Sequence, residues 1–235
     1  MSDNDQPHAL AGRFIVFDGP DGSGKSTQLA RFDKHLNDSG LNVCRVREPG
    51  GTTVGEAVRN VLLDRDHDDM TLRTEMLLYM ASRAQLCETV IAPALASGSV
   101  VISDRFLSST LAYQGTAGGL DLQHIRDVGS IATGNVMPDL TVIFDVDEHT
   151  ARSRLAGTPP KPGRRKGATA DTGPSLFADR MEDKGWAYQQ RVREGYLEQA
   201  DAEPERYAVI DARDDEDAVF ERALAAVHDR LSTPA

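Results

Sequence analysis

Residues 19–27, GPDGSGKST, restrict what this chain can fold into more than any other stretch. Gly19, four residues, then Gly24-Lys25-Ser26 satisfies G-x-x-x-x-G-K-[ST] in full. Glycines let the backbone curl until successive N–H groups point inward at an anion. Lys25 adds a mobile positive charge and Ser26 offers a hydroxyl to Mg2+, with Gly22, Ser23 and Thr27 completing the loop. Such a loop needs a strand before it and a helix after it. Arg13-Phe14-Ile15-Val16-Phe17-Asp18 is short and rich in Phe, Ile and Val, and Leu29, Phe32 and Leu36 follow at helical spacing. The helix N-terminus then adds its dipole to the anion site. Asp21 raises a question, because a carboxylate does not help a loop built for anions.

The same alternation runs through the chain. Strands are expected at 13–18, 42–47, 99–103, 139–145 and 206–211, and helices near 24–38, 53–64, 73–96, 121–132, 147–156, 176–200 and 214–231. Short apolar strands separated by helices imply a parallel sheet covered on both faces. In such sheets ligands bind beyond the carboxyl ends of the strands, where Asp18, Arg47, Asp104 and Asp145 emerge. One compositional break, GTPPKPGRRKGATADTGP at 157–174, is rich in Gly and Pro and carries Lys161, Arg164, Arg165 and Lys166. It reads as a solvated linker or as a basic lid that closes over a nucleotide.

Composition narrows the partners. With 26 Lys and Arg against 37 Asp and Glu, the net charge of −11 argues against a general nucleic-acid surface. The two cysteines, Cys44 and Cys87, lie in apolar segments with no metal or redox spacing. No apolar run reaches the roughly 18 residues that span a bilayer. The opening MSDNDQPHALAG lacks the features of a secretory signal and is expected to be a disordered tail over 1–11, with the cytoplasm as the default compartment.

Three further clusters carry chemistry. Arg47, in Arg47-Glu48-Pro49-Gly50-Gly51-Thr52, could grip a second phosphate or stand in a surface ion pair. Asp104 and Arg105 follow the third strand. Asp104 is suited to hold a water of Mg2+, and Arg105 to fork onto a phosphate. Asp145 competes with Asp104 for the metal role. Tyr79 and Arg83, four apart on one helix face, could stack on and hydrogen-bond a nucleobase, or be a core aromatic and a surface charge. Ser108 to Gly115 offers hydroxyls and an amide.

Together, FIVFDGPDGSGKST, REPGGT, LLYMASRAQLCETVIAPAL, SDRFLSSTLAYQG and PDLTVIFDV resemble the thymidylate kinases, of the nucleoside monophosphate kinase group. The resemblance runs from about 13 to 155 and resumes at ADRME (178–182). It implies an α/β, three-layer α/β/α P-loop NTPase fold with a five-stranded parallel sheet. A single kinase domain over 12–235 would include a flexible lid at about 157–178. The implied reaction moves the γ-phosphoryl of ATP to thymidine monophosphate, with Mg2+, in a homodimer. In the resemblance Lys25 and the loop backbone bind ATP, while Arg105 and Arg47 hold the acceptor phosphate. Tyr79 stacks on thymine and Arg83 addresses a ring carbonyl. Thr110, Tyr113 and Gln114 lie by the base or sugar, and Asp21 faces the acceptor's 3′-hydroxyl and the metal-water network. Where some relatives carry an arginine after the loop acid, this chain has Gly22, so the catalytic arginine is expected from the lid: Arg164, Arg165 or Arg180. Phe106 replaces a more usual Tyr or His. The alternatives are a deoxynucleoside kinase with Glu48 as base, a nucleotide-binding regulatory protein, and a nucleic-acid-dependent ATPase.

Overall fold

A computed structural model describes residues 7–156 and 185–231. Five strands, β1 (Phe14–Asp18), β2 (Val43–Arg47), β3 (Val100–Asp104), β4 (Leu140–Asp145) and β5 (Tyr207–Asp211), form one all-parallel sheet in the order β2-β3-β1-β4-β5. Each lies within one residue of its expected start and end. β1 is central and wholly buried because every residue of FIVFD faces protein. Its side chains alternate. Phe14 and Val16 pack toward one helical layer, and Ile15 and Phe17 toward the other. The first layer brings Met76, Met80 and Ile125. The second brings Leu29, Phe32 and Val227.

The helices are α1 (Lys25–Asp38), α2 (Thr53–Leu63), α3 (Leu72–Leu86), α4 (Ala92–Ala96), α5 (Leu107–Thr110), α6 (Leu122–Thr133), α7 (Glu148–Ala156), α8 (Trp186–Ala202) and α9 (Glu216–Leu231). Thr52, Thr71 and Asp121 cap α2, α3 and α6 with side-chain oxygens, as their sequence positions require. The single helix expected at 73–96 is α3 and α4 joined by a π turn, Cys87–Ile91. Pro93 lacks an N–H, and the helical ladder widens just before it. The stretch after β3 was not among the expected helices. It is α5 continued by a π turn, Leu111–Ala117. Its Ser, Ser, Thr and Gly are weak helix formers, and tertiary bonds to their hydroxyls hold them in place.

The expected tail needs correction at its inner end. Pro7–Leu10 form a 3-10 turn, and Leu10 is buried in the core beside Leu36 and Val100. The helix expected from 176 is described from Trp186, preceded by Gly185 at φ 76°; the basic segment at 157–174 lies outside the described residues. Among the described residues no helix is long and apolar enough to cross a membrane.

Two features of this topology place the site. β1 leads toward β2, whereas its neighbour β3 leads across to β4, so their carboxyl ends diverge and open a crevice. Parallel register then lines up Arg47, Asp104 and Phe17 across three strands. Beside the crevice, α8 lies close against the Leu111–Ala117 turn because Gly195 has no side chain. A Cβ there would stand 2.8 Å from Thr116 Cβ and 3.1 Å from the Ala112 backbone. Replacing Gly195 by Ala is expected to cost about 1–3 kcal/mol of stability in urea unfolding, and by Val more, through overpacking.

Candidate active site

The loop between β1 and α1 has the conformation that its glycines predict. Gly19, Gly22 and Gly24 all have φ between +78° and +139°. A Cβ on Gly19 would lie 2.6 Å from Phe144 O, and one on Gly22 2.8 Å from Ala151 O. Gly24 caps α1 with no side-chain acceptor, which leaves the first N–H groups of the helix for an anion. Lys25 is buried. Its Nζ donates to Pro20 O and stands 3.7 Å from Asp21 Oδ1. Burial, and after it the Arg105 guanidinium, hold the Lys25 ammonium below its ordinary pKa. Asp21, Asp104 and Asp18 pull the other way. Ser26 Oγ donates to Asp104 Oδ2 at 2.9 Å. Asp145 is instead taken by a bidentate pair with Arg193 of α8, so the geometry separates the two acids that compete in the sequence.

Arg105 is the hub. Its backbone has φ 72°, a conformation rare outside glycine, and its N–H donates to Phe17 O. The side chain is 3% exposed. Nη2 donates to Asp21 Oδ1 at 2.7 Å. Nη1 reaches Asp18 Oδ1 at 3.4 Å, Tyr196 OH at 3.1 Å and Ser109 Oγ at 3.2 Å. The guanidinium also lies over the Tyr113 ring, 5.2 Å from its centroid. Burial alone would lower its pKa; the phenols of Tyr113 and Tyr196 and the two carboxylates outweigh it and raise the value.

Beneath Arg105, Asp18 is fully buried and accepts from Gly19 N, Ser108 Oγ, Ser109 Oγ and Tyr196 OH at 2.6–2.9 Å. Sequence reading placed Asp18 at the strand end but gave it no partner. Its hydroxyl donors come from 90 to 178 residues away, and no local pattern announces them.

A narrow cleft opens beside Arg105, lined by Glu48, Tyr79, Arg83, Thr110, Tyr113 and Gln114 among others. The structure therefore brings together the residues singled out on α3 and after β3. Arg83 is not a surface charge. It is 1% exposed and forks onto Glu48, with Nε and Nη2 donating to Oε2 at 2.9 and 2.6 Å and Nη2 also reaching Thr110 Oγ1. Burial pushes the Glu48 carboxyl above its usual range, against the pull of Arg83. A carboxylate committed to a guanidinium is poorly placed to act as a base. Gln114 Nε2 donates to the buried Glu75 at 2.8 Å.

Arg47 takes the blander of its two expected roles among the described contacts. Its side chain is half-exposed, and Nη2 donates to Glu56, which also receives Gly51 N. Sequence reading missed Arg59 of α2, which is buried behind it and donates to Pro49 O next to the cis Glu48–Pro49 bond. Burial, then Arg47, lower the Arg59 pKa to about 10. A second, wider cleft is lined by Gly22, Ser23, Gly24, Thr27, Arg154 and Asp214 among others. Arg154, also missed, donates to Ser23 O. Arg164, Arg165 and Arg180 lie outside the described residues.

The arrangement is thus a phosphate loop whose Gly22, Ser23 and Gly24 line one cleft, while Arg105, paired with Asp21 of the same loop, lines the other. The thymidylate kinase family model matches residues 17–223. The thymidylate kinase of Nitratidesulfovibrio vulgaris is 43% identical over 224 residues, 94% of this chain and 99% of that protein. That of Desulforudis audaxviator is 44% identical over 94% of each. The crystal structure of thymidylate kinase from Ehrlichia chaffeensis superposes with a TM-score of 0.68 at 30% identity, covering 92% of this chain and 98% of that one. With a phosphate loop that lines one cleft and pairs with the wall of another, and with relatives aligned along nearly its whole length, the chain belongs to the thymidylate kinase family.

Proposed function

We propose that the two clefts hold the two substrates of the family reaction, transfer of the γ-phosphoryl of ATP to thymidine 5′-monophosphate to give the diphosphate. The observation that carries this reading is the Asp21–Arg105 ion pair at 2.7 Å, with Lys25 beside it. It ties Arg105, a fork-shaped cation on the wall of the first cleft, to the loop whose glycines line the second.

Phosphoryl transfer asks a protein mainly for positioning and for cations around developing charge. The loop N–H groups and Lys25 take the donor polyphosphate. Arg105 takes the acceptor phosphate, and Arg59 and Arg47 supply further positive charge on its far side. The attacking group is a phosphate oxygen with a second pKa near 6, so it is dianionic at neutral pH without a base. That agrees with Glu48 being held by Arg83. The assignment sets the base between the Tyr79 ring and the Arg83–Thr110–Gln114 wall, with Tyr113 toward the sugar.

The donor set near the loop also fits Mg2+. The Ser26 hydroxyl and the Asp104 carboxylate are hard oxygens 2.9 Å apart at the loop mouth, and such an ion keeps most of its remaining positions for water and phosphate. These two residues, with Asp21 nearby, would hold it. When bound, it neutralises phosphate charge. The lid arginine remains one of Arg164, Arg165 and Arg180. For the homodimer, Val54, Val61 and Leu77 stand exposed on the packed pair α2 and α3 and supply an apolar face for a second copy.

ADP release measured across an acceptor panel tests the assignment. Turnover is expected with dTMP, less with dUMP, and almost none with thymidine or without acceptor. Thymidine outrunning dTMP would make Glu48 the base and overturn it. Arg105→Met is expected to lower kcat by about 10²–10³-fold, and Arg105→Lys to recover little because an ammonium cannot fork. Chelation of Mg2+ should abolish turnover. Asp104→Asn should raise the Mg2+ concentration for half-maximal rate by roughly tenfold or more, and an unchanged Mg2+ titration would remove Asp104 from the metal site.

A further inference from the structure

Besides Glu48, which Arg83 holds, a second buried acid that the reaction as derived does not use lies next to the acceptor cleft. Glu75, on the first turn of α3, is 3% exposed and sits behind the cleft wall, where it accepts from Gln114 Nε2 at 2.8 Å. A carboxamide has a donor end and an acceptor end that differ little in shape, so what it offers a ligand depends on which end its protein neighbour takes. A carboxylate accepts and does not donate. With Glu75 holding the NH2 end, the carbonyl Oε1 is the end left for the cleft. Turning the amide over would set that carbonyl against the carboxylate in a dry interior, where unpaired and repelling polar groups are most costly.

We infer that Glu75 is a positioning residue for base selection: by fixing the amide of Gln114 with its carbonyl toward the cleft, it makes the site accept a pyrimidine that carries a ring N–H and reject one that carries a bare ring nitrogen. The inference rests on the assignment of this cleft to the acceptor base. Arg83 completes the pattern. With Nε and Nη2 of its guanidinium given to Glu48 and Thr110, Nη1, which meets only the weak acceptor Met80 Sδ among the bonds described, is the donor nitrogen that it brings to the same wall. A donor beside an acceptor matches the carbonyl and N3–H of thymine or uracil. Cytosine shows the reverse, an amino donor beside an N3 acceptor, and so meets donor with donor and acceptor with acceptor. Gln114 alone could turn over to suit cytosine; the carboxylate behind it is what forbids the turn. Selectivity is thus built one layer behind the surface that the base touches.

The test compares kcat/KM for dTMP, dUMP and dCMP in the wild-type enzyme and in Glu75→Gln, an isosteric change that supplies both a donor and an acceptor to Gln114. The dCMP to dTMP ratio is expected to rise roughly tenfold or more, since hydrogen-bonding sites discriminate strongly only while their polar groups are fixed. The dUMP to dTMP ratio should stay level, because those two bases share the edge that is read. In a Gln114→Met background the Glu75→Gln change should no longer move the dCMP ratio. Parallel losses for dCMP and dTMP would make Glu75 merely structural and overturn the inference, as would a ratio shift that survives Gln114→Met. If Glu75→Gln does not fold, Glu75→Asp, which keeps an acceptor-only group, must retain the wild-type ratio. A wild-type enzyme that uses dUMP and dTMP poorly but dCMP well would instead sink the base assignment itself.

Discussion

The Arg105 guanidinium is a full positive charge taken almost completely out of water, and the site is organised around keeping it there. An isolated buried cation is untenable, and removing one partner from a buried pair typically costs about 3–5 kcal/mol. Here the partners come from everywhere. Asp18 ends β1, Asp21 lies in the phosphate loop, Ser109 and Tyr113 follow β3, and Tyr196 is on α8. The two carboxylates differ in kind. Asp18 is saturated by a backbone N–H and three hydroxyls in addition to Arg105, and so acts as a fixed anchor. Asp21 is shared between Arg105 and Lys25, the two cations assigned to opposite substrates. A loop carboxylate that opposes anion binding becomes intelligible in those terms: it keeps two converging cations apart in charge until phosphates replace it.

That arrangement also explains how a chain of net charge −11 presents a welcome to anions. The positive side chains are few, but Lys25, Arg47, Arg59, Arg105 and Arg154 all stand around one loop, and three of them are buried. Buried charge is little screened by salt, so a small number of cations fixed in low dielectric outweighs a larger diffuse acidity at the surface. The depressed pKa directions of Lys25 and Arg59 share one origin, desolvation reinforced by a neighbouring guanidinium.

Much of this was legible in the sequence, and what was not has a consistent physical cause. The five strands and the phosphate loop declare themselves locally, through apolar runs and through glycines whose positive φ the loop requires. Asp104 and Ser26 could be placed at one edge of the sheet because parallel register carries strand ends together. What could not be read was pairing across long sequence distance. Asp18 meets Tyr196, Arg83 meets Glu48, and Gln114 meets Glu75, each at a separation that no periodicity encodes. Arg83 is instructive. Its spacing from Tyr79 put it on the right face, but only the position of Glu48 after β2 shows why a guanidinium can be buried there. The helix after β3 escaped for a related reason. Ser108 and Ser109 weaken local helix propensity, and it is their bonds to Asp18 that hold the segment in place.

The loop's own crowding bears on where the remaining cation comes from. Gly22 follows the loop acid directly. Here φ is 78°, and Ala151 O would sit 2.8 Å from any Cβ, so α7 packs on the loop too closely for a side chain at that point. A further positive charge for the transferring phosphoryl therefore has to enter from outside the loop. The described chain on either side of residues 157–184 is tied into the fold. Before it, Arg154 of α7 donates to Ser23 O within the loop itself. After it, α8 is fixed through Arg193 to Asp145, through Tyr188 to Tyr113 O and through Tyr196 to Asp18. Arg164, Arg165 and Arg180 all belong to the segment between these two anchors. Close packing at Gly22 and the anchoring of α7 and α8 are then two sides of one solution. The loop has no room for a cation of its own at Gly22, and the described chain on each side of residues 157–184 is bonded into the fold.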